Sequence, residues 1–312
     1  MLKKIKYFFL DMLYAPSGAA LLVFAIMLLL ALGNLINTTL FFSGNGAMLV
    51  IILIAFCVPL FVFWLSRGGK SYFPTIHFEL PKKIHFPTII FGLLLAISGS
   101  LLLKILIIEG KYTEFSVYNT FWAHRNESFG NDVYLLFAFA IVIPVLEGIA
   151  FRGALIKEHD RRGRLCAVLV SSLLFSLLGF SFADILPRFF LGALLCILLY
   201  ATESITLTIA LHIAYNFFAV FFEPSLIALK NVSSNFELFV YMIAILALVM
   251  AIFLFTRLSH LYKKYSHDKF GENTVRTTNR QKSFWNTVEL LTSIPAIACY
   301  VLFMIVTLIL AI

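Results

Sequence analysis

The amino-acid sequence predicts an all-α polytopic membrane protein, and its composition and its long apolar runs are the two observations behind this prediction. Of the 312 residues, 61% are hydrophobic and only 13% are charged. Soluble globular proteins carry about a quarter charged residues, because polar groups must cover their surface. The composition therefore excludes a soluble enzyme, a disordered chain, a nucleic-acid-binding domain and a disulfide-stapled secreted module.

Nine apolar runs approach the length of about 20 residues that a helix needs to cross the hydrocarbon core of a bilayer. The sixth run is short for a span, although it can be extended towards Asp184. The nine runs are Gly18–Ile36, Gly46–Leu65, Ile89–Ile108, Val133–Leu155, Leu165–Phe182, Phe189–Tyr200, Ile205–Phe222, Phe236–Phe255 and Leu291–Ile312.

The basic residues predict the orientation of the chain. With the N-terminus inside and all nine runs crossing, 18 of the 24 Lys and Arg residues fall inside and four outside, Arg188 among the four. Membrane proteins carry such an excess on the cytoplasmic side. We therefore expect nine spans with the C-terminus outside, in a cell membrane. The net charge of +8 then reflects contact with the lipid bilayer and topology, and no nucleic-acid partner is expected.

Few polar side chains fall within the apolar runs, and such residues are costly in a bilayer and commonly functional. Glu147 lies deep in the fourth run, and Arg152 lies near its inner end, where it either snorkels or has a functional partner. The two are five residues apart, about 140° around an α-helix, so they do not share one stripe. In the seventh run His212 and Asn216 share one helix face. That pair predicts either an interhelical hydrogen bond or two donors that converge as in an oxyanion hole.

Three short motifs at these positions resemble those of one family. The segment Glu147–Gly153, with the sequence EGIAFRG, resembles the first motif of the CPBP family, the CAAX-protease and bacteriocin-processing (Abi) intramembrane proteases, whose pattern is Glu-Glu-x-x-x-Arg. The segment Phe175–Gly179 resembles the second motif, Phe-x-x-x-His, and His212–Asn216 resembles the third. The resemblance covers about residues 133–223. It implies N-terminal spans in residues 1–132, a CPBP-like core of four helices in 133–223, and C-terminal spans with a basic inner loop in 224–312.

The resemblance also implies roles for the polar residues. The chain would be an intramembrane endopeptidase homologue of the glutamate type, acting on membrane-associated proteins or peptides. Glu147 would be the general base, His212 and Asn216 would steady the oxyanion, and Arg152 would be a structural or electrostatic partner. No cofactor is implied, and no metal is expected, because Glu147 and His212 are fewer than the three protein ligands of a catalytic zinc.

Two positions depart from the family pattern. Gly148 replaces the second Glu of the first motif, and Gly179 replaces the His that, in the family, helps the first Glu to activate water. The leading interpretation is therefore a protease homologue with an incomplete catalytic set. Its alternative is an inactive pseudoprotease that binds a membrane partner in envelope control or bacteriocin immunity. A small-molecule transporter is less favoured, because the sequence has neither internal repeats nor paired broken helices.

Overall fold

The structure is a computed structural model that describes residues 18–39, 45–68, 85–107, 133, 136–160, 162–182, 184–222, 235, 238–254 and 280–311. Within these ranges the chain forms ten helices and no strand, which confirms the predicted all-α membrane fold. The helices are α1 (Gly18–Thr39), α2 (Asn45–Ser66), α3 (His85–Ile107), α4 (Leu136–Asp160), α5 (Arg164–Leu177), α6 (Ile185–Thr202), α7 (Ile205–Phe217, continued by a π-helical turn over Phe218–Phe222), α8 (Leu238–Leu254), α9 (Arg280–Leu291) and α10 (Ile294–Ala311).

Each of the nine predicted apolar runs coincides with a helix. By length and composition, α2, α3, α4 and α6 can cross a membrane, and a fifth span is counted if α9 and α10, bent by 57°, form one unit. The described parts of α1, α5, α7 and α8 contain shorter apolar segments. The sixth run is longer than its apolar letters suggest, because α6 begins directly after Asp184 and reaches Thr202.

Large apolar side chains cover the outer surface of the bundle. Leu246 on α8 and Ile309 on α10, for example, are 64% and 63% exposed. Such a surface suits contact with lipid chains rather than water, and helices are favoured there because they satisfy their own backbone hydrogen bonds. The protein is therefore a multi-pass membrane protein, whose polar side chains must be explained by what they contact inside the bundle.

The helices α4, α5, α6 and α7 pack together, and α5 lies along α6. A Cβ atom at Gly192 of α6 would lie 3.1 Å from the Cα of Ser172 and 3.0 Å from the Phe175 ring, both on α5. Glycine favours this close approach, because the Cβ atom of any other residue would be tight against the backbone of α5. The contact brings the Phe175 ring to the middle of the four helices, where the candidate site is found.

The turn between α5 and α6 is held by the C-terminal helix. Phe180 lies in this turn with a φ of 47°, a left-handed conformation that is rare for a bulky residue and needs support from its surroundings. Its ring stacks on Phe303 of α10 at a centroid distance of 6.5 Å, and its carbonyl oxygen lies 3.4 Å from the Thr307 hydroxyl oxygen. These contacts fix the start of α6 and therefore the position of Arg188.

Candidate functional site

Glu147 lies inside α4 at a change of helix type. The helix is π-helical over Leu136–Val142, α-helical over Ile143–Glu147 and π-helical again over Gly148–Leu155. Pro144, which has no backbone N–H to donate, stands in the α-helical segment. Wider π turns inside an α-helix commonly occur at functional sites. Here they orient the first-motif residues towards the centre of the bundle.

The Glu147 carboxylate is buried and has two partners from other helices. The Arg188 Nη2 atom, in the first turn of α6, donates to Glu147 Oε1 at 2.9 Å. The His212 Nε2 atom, on α7, lies 3.5 Å from Glu147 Oε2. Glu147 and His212 are 3% and 2% exposed, and Arg188 is 9% exposed. Oε1 therefore accepts a hydrogen bond from Arg188, and Oε2 lies beside the imidazole in a place shielded from bulk water.

The Phe175 ring forms a platform for the polar groups. The Arg152 guanidinium lies 4.6 Å from the ring centroid, and the Arg188 guanidinium lies 4.8 Å from it. The His212 ring meets Phe175 edge to face at 5.7 Å. Each guanidinium–ring contact contributes about 0.5–2 kcal/mol, more when water is excluded. Phe175, in the second motif, thus contacts two guanidinium groups and one imidazole from three other helices.

Arg152 is buried and points into the bundle. It is 4% exposed, which excludes the predicted alternative that it snorkels. The other alternative, a functional partner for Arg152, stays a prediction. Residues five apart are neighbours in a π-helix, whose hydrogen bonds join residues i and i+5, as the Ile156 N–H to Phe151 carbonyl bond does here. The predicted separation of Glu147 and Arg152 assumed an α-helix throughout, whereas Arg152 lies in a π-helical segment that begins directly after Glu147. The two side chains interact electrostatically, although Arg152 forms no ion pair with Glu147 within 4 Å.

His212 and Asn216 are both buried on α7 but have different partners. The Asn216 Nδ2 atom donates to the Phe139 carbonyl of α4 at 3.0 Å, whereas His212 lies at Glu147. Their predicted common helix face is present, and Asn216 forms the interhelical hydrogen bond that was one of the two alternatives. Their proposed role as an oxyanion hole stays a prediction.

The two glycines that depart from the family pattern have different surroundings. A Cβ atom at Gly148 would lie 2.5 Å from Cγ1 and 3.0 Å from Cδ1 of Ile209 on α7. Even an alanine at that position therefore requires Ile209 to move. Gly179 is buried in the turn that follows the end of α5. The charged group that reaches the site from beyond this turn is the guanidinium of Arg188.

The sequence reasoning missed Arg188 and Ile209. Arg188 was assigned to an outer loop, which was wrong because α6 begins at Ile185 and carries it in its first turn. A signal was present: Arg188 and Gly192 are four residues apart and share the helix face that packs on α5. Ile209 precedes His212 by three residues and shares its face for the same reason, but an apolar residue in an apolar helix gives no signal of its own.

One comparison with known proteins bears on this site. Residues 129–218 match the model of a protein family described as Type II CAAX prenyl endopeptidase Rce1-like. No curated protein and no solved structure gave a significant match. The matched segment includes Glu147, Arg152, Arg188 and His212, and it agrees with the resemblance predicted for residues 133–223. Over residues 129–218, less than a third of its length, this multi-pass membrane protein is therefore similar to the Rce1-like family of type II CAAX prenyl endopeptidases.

Proposed function

We propose that this protein is a non-hydrolytic member of the CAAX-protease-like group, which binds a membrane-associated polypeptide without cleaving it. The observation that carries the proposal is the buried 2.9 Å contact between Arg188 and Glu147. A general base must offer a free oxygen lone pair to a water molecule within hydrogen-bonding reach. In the partner-free chain, Arg188 occupies one carboxylate oxygen and His212 lies beside the other.

The departure at Gly179 removes a second contributor to catalysis, the imidazole that the family pattern places there. Loss of one acid–base group typically costs a factor of about 10²–10⁴ in rate. Groups that act as a set often lose nearly all their effect when one is removed. Gly179 supplies no imidazole, so both effects apply together.

The surroundings of Gly148 give independent support. Ile209 fills the space that a side chain at this position would need, with a closest approach of 2.5 Å to a Cβ atom. Carbon atoms in contact normally lie about 3.5–4.0 Å apart. The departure from Glu at this position is thus matched by an apolar side chain that closes the gap. A site that had lost one carboxylate but stayed catalytic would not need an apolar side chain in that space.

A residual protease is the second candidate, and one observation favours it. His212 Nε2 lies 3.5 Å from Glu147 Oε2, so a carboxylate and an imidazole still converge in the core. Together they would polarise a water molecule if Arg188 moved away when substrate bound. Cleavage would then proceed by attack of water on the peptide carbonyl, without a covalent intermediate.

The proposed partner is a membrane-associated protein or peptide, in keeping with the protease-like core. A bacterial cytoplasmic membrane, with the N-terminus inside, is the proposed location. We also propose that residues 133–223 form the binding core, with the spans in 1–132 and 224–312 as flanking supports. Envelope control or bacteriocin immunity is a role that such a binding protein would suit.

The test compares the wild-type chain with Glu147→Ala, both in lipid nanodiscs, on a panel of membrane-anchored peptides. Mass spectrometry follows cleavage, and photo-crosslinking follows binding. We expect no cleavage by either protein, crosslinking by both, and loss of crosslinking in Gly179→Phe, which fills the core next to α6. Cleavage by the wild type that Glu147→Ala abolishes would replace the proposal with the residual protease.

A further inference from the structure

The core contains more positive than negative charge. Among the described residues, Arg152 interacts electrostatically with Cys196, Glu147, Arg188 and His212. Together with Arg152 these five groups comprise two guanidinium groups, one carboxylate, one thiol and one imidazole. Since Arg188 already pairs with Glu147, the charge of Arg152 has no counterion among the described residues. A buried charge without a partner is strongly unfavourable.

The hydrogen-bonding capacity of Arg152 is unused as well. All three of its nitrogen atoms, Nε, Nη1 and Nη2, are buried, and none has a hydrogen-bond acceptor in the described part of the chain. The Nε atom of Arg188 and the Nδ1 atom of His212 are in the same condition. The large majority of buried polar groups in proteins are hydrogen-bonded. Several unpartnered nitrogen atoms around the Phe175 ring therefore indicate a missing acceptor.

The origin of this condition can be read from the helix. Position 148, which is a Glu in the family pattern, lies four residues before Arg152, about one turn earlier in the same π-helical segment. Gly148 cannot supply that carboxylate, and Ile209 occupies the space beside it. Arg152 therefore stacks on Phe175 without a carboxylate from position 148.

We propose that Arg152 binds a carboxylate group of a ligand within this core. The excess is one positive charge, which a carboxylate neutralises, whereas a phosphate monoester carries about −1.5 to −2 charges near neutral pH. A planar guanidinium also matches the two oxygen atoms of a carboxylate in a bidentate contact. This inference rests on the proposed function, because it names the group by which a bound polypeptide is held: its C-terminal carboxylate or an acidic side chain.

The test uses the full chain in nanodiscs of neutral lipid, with thermal unfolding as the readout. The probes are a short apolar peptide with a free C-terminal carboxylate, the same peptide with a C-terminal amide, sodium acetate and sodium phosphate, all at equal ionic strength. A ligand that binds only the folded state raises the unfolding temperature. We expect the free-carboxylate peptide to raise it more than the amidated peptide.

Arg152→Gln should weaken the apparent affinity for the free-carboxylate peptide by about tenfold or more, because it removes a charge-assisted bidentate contact. The matched control is Arg164→Gln, since Arg164 is exposed and stacks on Tyr200 at 5.4 Å. Arg152→Lys, which keeps the charge and loses the planar fork, should also weaken binding and serves if Arg152→Gln does not fold. If acetate raised the unfolding temperature as much as the peptide does, a small free carboxylate would be supported as the ligand.

Four results would overturn the proposal. The first three are an equal rise in unfolding temperature with the acid and the amide, unchanged affinity in both Arg152 variants, and a larger rise with phosphate than with any carboxylate. The fourth, no rise with any carboxylate, would mean that water satisfies Arg152. Mass spectrometry of the same samples separates the two proposals. Cleaved peptide would contradict the non-hydrolytic function, while an effect of Arg152 on affinity would still support the carboxylate site.

Discussion

Replacement of Arg188 by Met should destabilise the protein strongly, because it leaves the Glu147 carboxylate buried without its hydrogen-bond donor. The side chains of Arg188 and Glu147 are only 10% and 4% exposed. Removing one partner of a buried ion pair typically costs about 3–5 kcal/mol in the free energy of unfolding. Arg152 remains near Glu147 and compensates part of its charge, so we expect the lower end, about 3 kcal/mol.

A double-mutant cycle separates this pair from general damage to the core. Glu147→Gln combined with Arg188→Met removes both charges, and the double variant should be more stable than Arg188→Met alone. The comparison pair is Arg162 and Glu289, at 3.1 Å, where the Glu289 side chain is 66% exposed. Exposed pairs contribute about 0–1 kcal/mol, so Arg162→Met should have little effect.

The assay is equilibrium unfolding in detergent micelles, followed by the loss of helical circular dichroism. A cost below about 1 kcal/mol for Arg188→Met, or additive effects in the cycle, would refute the reasoning. Either result would mean that Arg188 does not hold Glu147, and the argument that the base is occupied would then fail.

Two further substitutions test the same core by unfolding measurements. Arg152→Met should be nearly neutral or stabilising in the absence of ligand, because it removes an uncompensated buried charge at the loss of about 0.5–2 kcal/mol of ring contact; a cost above about 3 kcal/mol would reveal an internal counterion. Gly148→Ala should cost about 1–3 kcal/mol through its clash with Ile209. In an Ile209→Ala background the same change should be neutral or stabilising, since Ala favours a helix over Gly by about 0.5–1 kcal/mol; an unchanged cost there would refute the steric explanation.

The sequence predicted the helices well because a bilayer leaves few alternatives. Apolar runs of sufficient length must form helices to satisfy their backbone, and α6 shows that even the shortest run belongs to a helix long enough to cross a bilayer. The motif residues were also found, because Glu147 and His212 are rare residue types in apolar segments, where a polar side chain stands out. Local composition was enough for both inferences.

The contacts of the site were not predictable in the same way. Arg188 occurs at a helix end, where basic residues are common and give no signal of burial. Its contact with Glu147 depends on how α6 packs on α4 and α5, and this packing cannot be read from a single sequence. Glu147 and Arg152 interact across a change from α-helix to π-helix, which the sequence of α4 does not predict. Ile209 matters only through its contact with Gly148, a pairing of two apolar positions on different helices.

The most direct test of the central claim, that Glu147 does not activate water in this protein, is a hydrolysis measurement under single-turnover conditions. The protein is in excess over membrane-anchored peptides in water enriched in oxygen-18, and mass spectrometry detects labelled carboxyl groups at new C-termini. The account predicts no labelled product from the wild-type chain beyond that from Glu147→Gln. Labelled product that appears with the wild type and disappears with Glu147→Gln would contradict it.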